Sequence, residues 1–340
     1  MYFLDVDFSE NYTKKSILSI NDPIIELEEL QDVDTATDGV IPARNSSAYQ
    51  IFFLETSYPE GGFLNITPRE ACAVESAAKM HPHHNIYLLF VGNITINSAL
   101  NCTKIVKNVL RDNPNVFLRK LDYVEFSKGT PMEDFFKKNK NFKESKFFKT
   151  HLADMLRLIT LYKYGGLYFD LDVVVLKNFE ELGENFVARA EGPFMMSGTL
   201  QFSSKGIGHI FAENCLKDLA KHYRPGIWGA QGPELITRQM KRICGVNSVN
   251  DMTVERCKGI KIFERSKFLP VPYTNHKKYF APKLTARMVK HVEKSSFTAH
   301  IFSKMNRHFK LFKGDKAAYL SLAEKYCPVV YNTLDVGDPF

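Results

Sequence analysis

The sequence predicts an α/β fold, a largely parallel sheet covered on both faces by helices and carried by a single domain. Three observations predict it. Short apolar runs alternate with amphipathic ones between residues 50 and 113, the rhythm of strand–helix–strand units. A stretch with one apolar helical face, around residues 152–162, passes through Gly165-Gly166 straight into another apolar run. The chain has 340 residues, 44% of them hydrophobic, enough for one large core, and no internal repeat or low-complexity tract argues for an array.

The elements follow in order. Residues 1–48, with Glu26, Glu28, Glu29, Asp32, Asp34 and Asp38, are acidic and turn-forming and predict a mobile stem. Gln50–Leu54 reads as a first strand, Pro68–His81 as a helix, Ile86–Val91 as a second strand and Asn101–Asn113 as a second helix. Leu152, Met155, Leu156, Ile159 and Tyr162 recur at helical spacing, and Gly165 with Gly166 supplies a stop that tolerates left-handed backbone. From Gly166 the chain reads as extended, which puts Asp170 and Asp172 on one face while Phe169 and Leu171 face the core. Adjacent carboxylates repel, and a hard divalent cation that shares its other positions with phosphate oxygens relieves the repulsion. A bare Asp-x-Asp is equally met as two solvated residues at a strand end. Asp154 and Arg157, three apart on the preceding helix, are within reach of each other, although such a pair on a surface contributes little. In open parallel sheets ligands sit beyond the carboxyl ends of the strands, so Glu55-Thr56-Ser57 and the Asp170–Asp172 segment share a destination.

Composition narrows the surroundings. A formal charge of +7 fits solvated lysine faces such as Lys137, Lys138, Lys140, Lys143 and Lys146, and equally fits attraction to a diphosphate or to an anionic membrane surface, while no recognisable motif points to nucleic acid. Asn11, Asn45, Asn65, Asn93 and Asn101 all stand in N-x-S/T sequons, which predicts a glycosylated N-terminal half in the secretory pathway. The six cysteines are even in number and lack metal-binding CxxC spacing, so disulfides are expected, with Cys244–Cys257 a local pair. No run of about twenty apolar residues exists, and Met1–Asp7 has neither the basic flank nor the apolar stretch of a signal peptide.

The run His151-Leu152-Ala153-Asp154-Met155-Leu156-Arg157, followed by Tyr164-Gly165-Gly166-Leu167-Tyr168-Phe169-Asp170-Leu171-Asp172, resembles the glycosyltransferases with a sugar-binding region containing the DxD motif. More closely, the chain is similar to the lactosylceramide 4-alpha-galactosyltransferase group of α1,4-glycosyltransferases, through Ile51–Ser57, Cys72–Ala78, Trp228–Leu235 and Ala299–Lys304. The resemblance covers roughly residues 50 to 330. It implies a GT-A type, Rossmann-like fold with a catalytic domain at 49–335, divided into a nucleotide-sugar-binding half at 49–180 and an acceptor-binding half with a C-terminal metal and phosphate segment at 181–335.

It also implies roles. Asp170 and Asp172, with His300 as third ligand, would hold Mn2+ bridging the diphosphate of a UDP-sugar, and Lys304 would lie near the phosphates. Family members commonly carry Trp-Asn-Lys where this chain has Phe302-Ser303-Lys304. Glu55, Thr56 and Ser57 would meet the base and ribose, while Asp154 and Arg157 would contact the donor sugar and diphosphate. Trp228, with Ser197 and Gly198, would line the acceptor side and the pocket around the donor 2-position. Gln231 and Glu234 are candidates near the reacting carbon, beside a front-face mechanism that needs no protein nucleophile.

The expected activity is retaining transfer of galactose or N-acetylgalactosamine from UDP-galactose or UDP-N-acetylgalactosamine to a terminal sugar of a glycosphingolipid acceptor, in α1,4 linkage. The alternatives are an α1,4-N-acetylglucosaminyltransferase acting on glycoproteins, a metal-dependent nucleotide-sugar hydrolase, and a lectin-like scaffold without turnover. Family members are type II Golgi proteins, so the expected place is the Golgi membrane with a lumenal catalytic domain, its N-terminal anchor missing from this chain.

Overall fold

The computed structural model describes residues 49–57, 64, 66–91, 103–282 and 285–340. The stem expected over residues 1–48, the five sequon asparagines and Cys102 lie outside them. In chain order the first elements are β1 (Ile51–Glu55), α1 (Pro68–Met80), β2 (Ile86–Val91), α2 (Lys104–Asp112), β3 (Val116–Leu121), α3 (Tyr123–Phe126), α4 (Glu133–Lys138), α5 (Phe148–Tyr164) and β4 (Gly166–Phe169). They are followed by β5 (Val173–Val175), β6 (Phe186–Ala188), β7 (Thr199–Phe202), α6 (Gly206–Lys221), α7 (Pro233–Cys244) and β8 (Lys261–Phe263). Last come α8 (Thr285–Ser295), β9 (Thr298–His300), α9 (Ser303–Asn306), α10 (Ala318–Tyr326) and α11 (Pro328–Thr333).

Seven strands form one sheet in the order β3-β2-β1-β4-β7-β6-β8. Only β7 runs against the others, since β4 and β6 both pair with it antiparallel and the remaining pairs are parallel. The mostly parallel α/β sheet expected from the sequence is therefore present. β1 and β2 are buried along their whole length, which is why they read as unbroken apolar runs rather than alternating ones. Alternation shows instead in which core each residue joins. Ile51 and Phe53 pack with α1, α2 and the C-terminal helices, whereas Phe52 and Leu54 pack with α5, α6 and α7 on the opposite face.

Two local signals fix the approach to the site. Thr67 caps α1 in a reciprocal capping box with Glu70, and Pro68 occupies the first turn, where its missing N–H costs nothing. At the end of α5, Gly165 and Gly166 both take positive φ, +65° and +95°. Side chains are excluded there as well, because a Cβ would lie 2.4 Å from the Ser204 amide nitrogen at Gly165 and 2.3 Å from the Gln50 carbonyl oxygen at Gly166. The double glycine thus lets a helix turn directly into a central strand.

Disulfides join Cys72 of α1 to Cys327 between α10 and α11, and Cys244 to Cys257. The local pair agrees with expectation. Cys215, on the buried side of α6, stays a free thiol packed in the core.

Candidate active site

One expectation about the Asp170–Asp172 segment needs correction. It is not a continuous strand: β4 ends at Phe169, Asp170 to Asp172 form a turn closed by a 3.1 Å hydrogen bond from the Val173 amide to the Asp170 carbonyl, and β5 belongs to a separate two-stranded sheet with β9. The sequence run hid the break because both flanking strands are apolar and the turn contains no glycine or proline to mark it. The carboxylates nonetheless converge, by the turn rather than by strand alternation.

The partner strand delivers the third ligand candidate. β9 pairs antiparallel with β5 in a register that sets His300 opposite Val173. His300 Nε2 lies 3.3 Å from Asp172 Oδ1, and one atom each of Asp170, Asp172 and His300 lies within 4.8 Å of the others. Asp172 also accepts a 2.9 Å bond from the Ser303 amide at Oδ2. Burial, and then the Asp170 charge, push the Asp172 carboxyl above its usual range against the opposing pull of His300. Glu70 lies close by, its carboxyl pushed up to about 7 by burial, then by Glu55 and, more weakly, Asp172, while Thr67 opposes. Two carboxylates and an imidazole at chelating distance, in a field this rich in carboxylates, fit a divalent cation.

Arg157 braces the other carboxylate. Its Nη1 lies 3.0 Å from Asp170 Oδ1 and donates to the Ser197 carbonyl at 2.7 Å, its Nη2 lies 3.0 Å from Asp154 Oδ1, and its guanidinium sits 4.7 Å from the Tyr168 ring centre. Tyr168 in turn donates to Asp170 Oδ1 at 2.8 Å. Asp154 and Arg157 are buried, so the surface ion pair weighed for them is excluded. Burial raises the Asp154 carboxyl to about 7 even beside Arg157. The pair stands directly behind Asp170.

Lys304, in the one-turn α9, places its ammonium 4.8 Å from the Trp228 ring centre. It is exposed; partial desolvation of the ammonium and Arg307 lower its pKa while the nearby Asp154 opposes them. Between His300 and Lys304 the chain turns at Phe302, whose φ of +52° is left-handed for a residue with a large side chain, and whose amide donates to His300 Nδ1 at 3.2 Å. That turn brings His300 and Lys304 to one place, and nothing in the Phe302-Ser303-Lys304 triplet announced it.

The remaining candidates divide. Glu55 ends β1 with its carboxylate accepting from the Ser57 amide at 2.5 Å, and Thr56 donates to the Lys149 carbonyl at 2.9 Å, so this corner sits at the carboxyl end of the sheet against α5. Gly198 lies opposite Asp170 and accepts its amide at 2.9 Å. Trp228 is 44% exposed and hence available to a ligand rather than serving as a core anchor. Gln231 is buried, its amide donating to the Arg224 carbonyl at 2.8 Å and standing 3.3 Å from His151 Nε2, so its polar atoms are engaged within the loop. Glu234 is paired with Arg224 at 2.5 Å.

His151 opens the run that carries the family resemblance, and the structure gives it a role. It is buried, with Nδ1 3.1 Å from the Tyr223 hydroxyl and Nε2 3.1 Å from the Ile227 carbonyl, and thus pins the Trp228 loop to α5. Its spacing of three from Asp154 on one helix face was the available signal.

Comparisons with known proteins place the chain in a family. Residues 67–187 match the family described as glycosyltransferase sugar-binding region containing DXD motif, and residues 204–334 match the alpha 1,4-glycosyltransferase conserved region. The lactosylceramide 4-alpha-galactosyltransferase of Rattus norvegicus is 30% identical over 296 residues, covering 86% of this chain and 77% of that protein. The alpha-1,4-N-acetylglucosaminyltransferase of Homo sapiens is 29% identical over 294 residues, covering 84% and 81%. Among solved structures, the PaToxG glycosyltransferase is a remote likeness, with 19% identity and a TM-score of 0.45 over 74% of this chain and 88% of that one.

Proposed function

The chain belongs to the α1,4-glycosyltransferase family that includes lactosylceramide 4-alpha-galactosyltransferase, and from that premise we propose that it transfers galactose or N-acetylgalactosamine from a UDP-sugar to the terminal sugar of a glycosphingolipid, in α1,4 linkage with retention. It is a glycosyltransferase whose DxD region serves a divalent cation and a nucleotide-sugar donor. The observation that carries the reading is the convergence of Asp170, Asp172 and His300 beside the Arg157 brace, with Lys304, four residues after His300, held against Trp228.

Asp170, Asp172 and His300 would hold the cation, for which we propose Mn2+; when bound it offsets charge that develops on the departing diphosphate. Lys304, held beside the Trp228 ring, adds a positive charge for the same oxygens. Arg157 and Asp154 keep Asp170 in place and form the floor on which the donor sugar is oriented. Glu55, Thr56 and Ser57 hold the nucleoside at the end of β1. Trp228 offers an exposed ring face to the acceptor sugar, and Ser197 with Gly198 closes the pocket beside the donor. Gln231 and Glu234 hold the loop that carries Trp228, which favours front-face departure without a protein nucleophile. In this division residues 49–180 bind the donor and 181–335 supply the acceptor wall and the phosphate segment. The two disulfides support an oxidising lumen, and we place the enzyme in the Golgi lumen.

The test is a manganese-supplemented assay with UDP-galactose, UDP-N-acetylgalactosamine and UDP-N-acetylglucosamine, each with and without glycolipid acceptors. Product from galactose or N-acetylgalactosamine only when acceptor is present supports the proposal. Preference for N-acetylglucosamine on a glycoprotein acceptor would replace it with the activity named for the human relative, and UDP release that ignores acceptor would replace it with hydrolysis.

A further inference from the structure

Past the Trp228 loop, apart from the DxD turn, the molecule has an open cavity of about 760 Å3. Phe194, Arg224, Glu234, Arg238, Lys241 and Arg242 line it. Both walls lead back to the cleft. Phe194 stands three residues before Ser197, whose carbonyl holds Arg157, a span of about 10 Å at most. Glu234 stands two residues after Gly232, where a Cβ would come within 2.7 Å of Asp154 Oδ1. A cross-link ties the walls together, for the Met195 amide donates at 2.8 Å to the Thr237 hydroxyl of α7.

The lining combines two chemistries. Four cationic side chains face one carboxylate, that of Glu234. Arg224 is taken up by Glu234, while Arg238 and Arg242 share the single buried carboxylate of Asp218, leaving positive charge in excess. Lys241 forms no ion pair among the described residues. At the other end Phe194 presents an apolar ring that is 39% exposed. Planar donors together with a bare aromatic face fit a saccharide ring that bears an anion better than they fit a plain ion or a neutral sugar.

We propose that this cavity is an acceptor subsite for an acidic saccharide, binding the sugar adjacent to the one that is glycosylated and favouring a carboxylate- or sulfate-bearing ring over a neutral one. The inference rests on the transferase reading above, and Lys241 is its specificity-determining residue. The chemistry is non-covalent, so the preference falls on KM and on binding rather than on kcat.

The experiment is isothermal titration of the whole protein, with UDP and Mn2+ present, using a neutral trisaccharide and the same trisaccharide carrying sulfate or sialic acid. Wild type is expected to bind the acidic sugar about tenfold more tightly at low ionic strength, with the difference shrinking at about 0.15 M salt. Lys241→Gln should lower the preference and Lys241→Glu remove it, each with a melting temperature near that of wild type. Equal affinity of wild type for both sugars, or a preference unchanged in both variants, overturns the proposal. So does binding to phosphatidylserine vesicles with no discrimination between the sugars, which would make the cavity a membrane contact. A preference that persists while no donor is transferred to either sugar would sink the transferase reading and leave the acidic-saccharide site standing.

Discussion

Gly198→Ala tests the metal site without touching a ligand. The substitution adds one methyl group at a residue whose φ lies outside the left-handed region, so the backbone can accept it. The new Cβ would lie 2.5 Å from Asp170 Oδ2 and 3.1 Å from its Cγ. Comfortable contact needs about 3.5 Å, so the carboxylate must withdraw by about 1 Å. It cannot do so freely, because Tyr168 at 2.8 Å and Arg157 at 3.0 Å hold the other oxygen. A displacement of that size at a reacting centre costs on the order of 10²-fold in rate, and a misplaced ligand weakens metal binding by about 10- to 100-fold. Overpacking should cost about 1–3 kcal/mol of stability, a fall of a few degrees in Tm. The assay is calorimetric Mn2+ titration alongside initial rates at limiting and saturating metal. Gly226→Ala, where a Cβ meets nothing within 4 Å, is the matched control. Metal affinity and kcat within twofold of wild type in a folded Gly198→Ala protein would refute the placement of Asp170 at the cation.

Asp172→Asn should abolish metal-dependent nucleotide binding while the fold survives, since the amide oxygen can still accept from the Ser303 amide; calorimetry showing wild-type metal affinity would remove Asp172 from the site. His81 is fully buried, with its Nδ1 3.2 Å from the Ala77 carbonyl and Nε2 accepting from the Phe179 amide at 3.1 Å, and burial, then His84, lowers its pKa from 6.5 to about 4. The folded-state pKa lies below the unfolded one, so its contribution is complete above about pH 6.5 and disappears as pH falls toward 4, a loss of up to about 3 kcal/mol. Urea unfolding of wild type and His81→Asn at pH 7, 5.5 and 4.5 should show a shallower pH slope in the variant, and parallel slopes would refute this. Replacing Cys72 and Cys327 together by Ala opens a cross-link between residues 255 apart and should cost about 2–5 kcal/mol, and a thermal scan with unchanged Tm would show that packing alone holds those helices.

How much of this was legible in the sequence depends on whether the signal was local. The α5 face and the Gly165-Gly166 stop are written within a few residues of where they act, and each appears as read. The two-carboxylate site was legible by residue type, although its geometry was not. A strand would have projected Asp170 and Asp172 by alternation, whereas the structure does so by a turn between two sheets, and only the pairing partners of β4 and β5 reveal the break. His300 was placed by resemblance alone, because the β5–β9 register joins segments more than a hundred residues apart. Burial of Asp154 and Arg157 was equally hidden, since spacing on a helix says which residues touch and nothing about what covers them. The engagement of Gln231 with Arg224 and His151 depends on a loop conformation that carries no periodic signal.

Arg157 explains why the buried pair behind the DxD turn is retained despite its cost. Taking a guanidinium and a carboxylate out of water is expensive, and an apolar pair of similar volume would often serve stability as well or better. Here the guanidinium has three employments at once: Asp154, Asp170 and the Ser197 carbonyl. Burial alone would lower its pKa, but Asp170, Tyr168 and Asp154 together raise it, so it stays charged. Beyond this pair, burial and neighbouring carboxylates push the Asp172 and Glu70 carboxyls up, while His300 opposes this at Asp172. Arg157 therefore offsets the charge of Asp154 and Asp170 within the fold and fixes the orientation of Asp170, the carboxylate proposed to share a cation with Asp172 and His300. Apolar packing in place of the brace would leave Asp170 Oδ1 with only the Tyr168 hydroxyl to orient it, among the described residues.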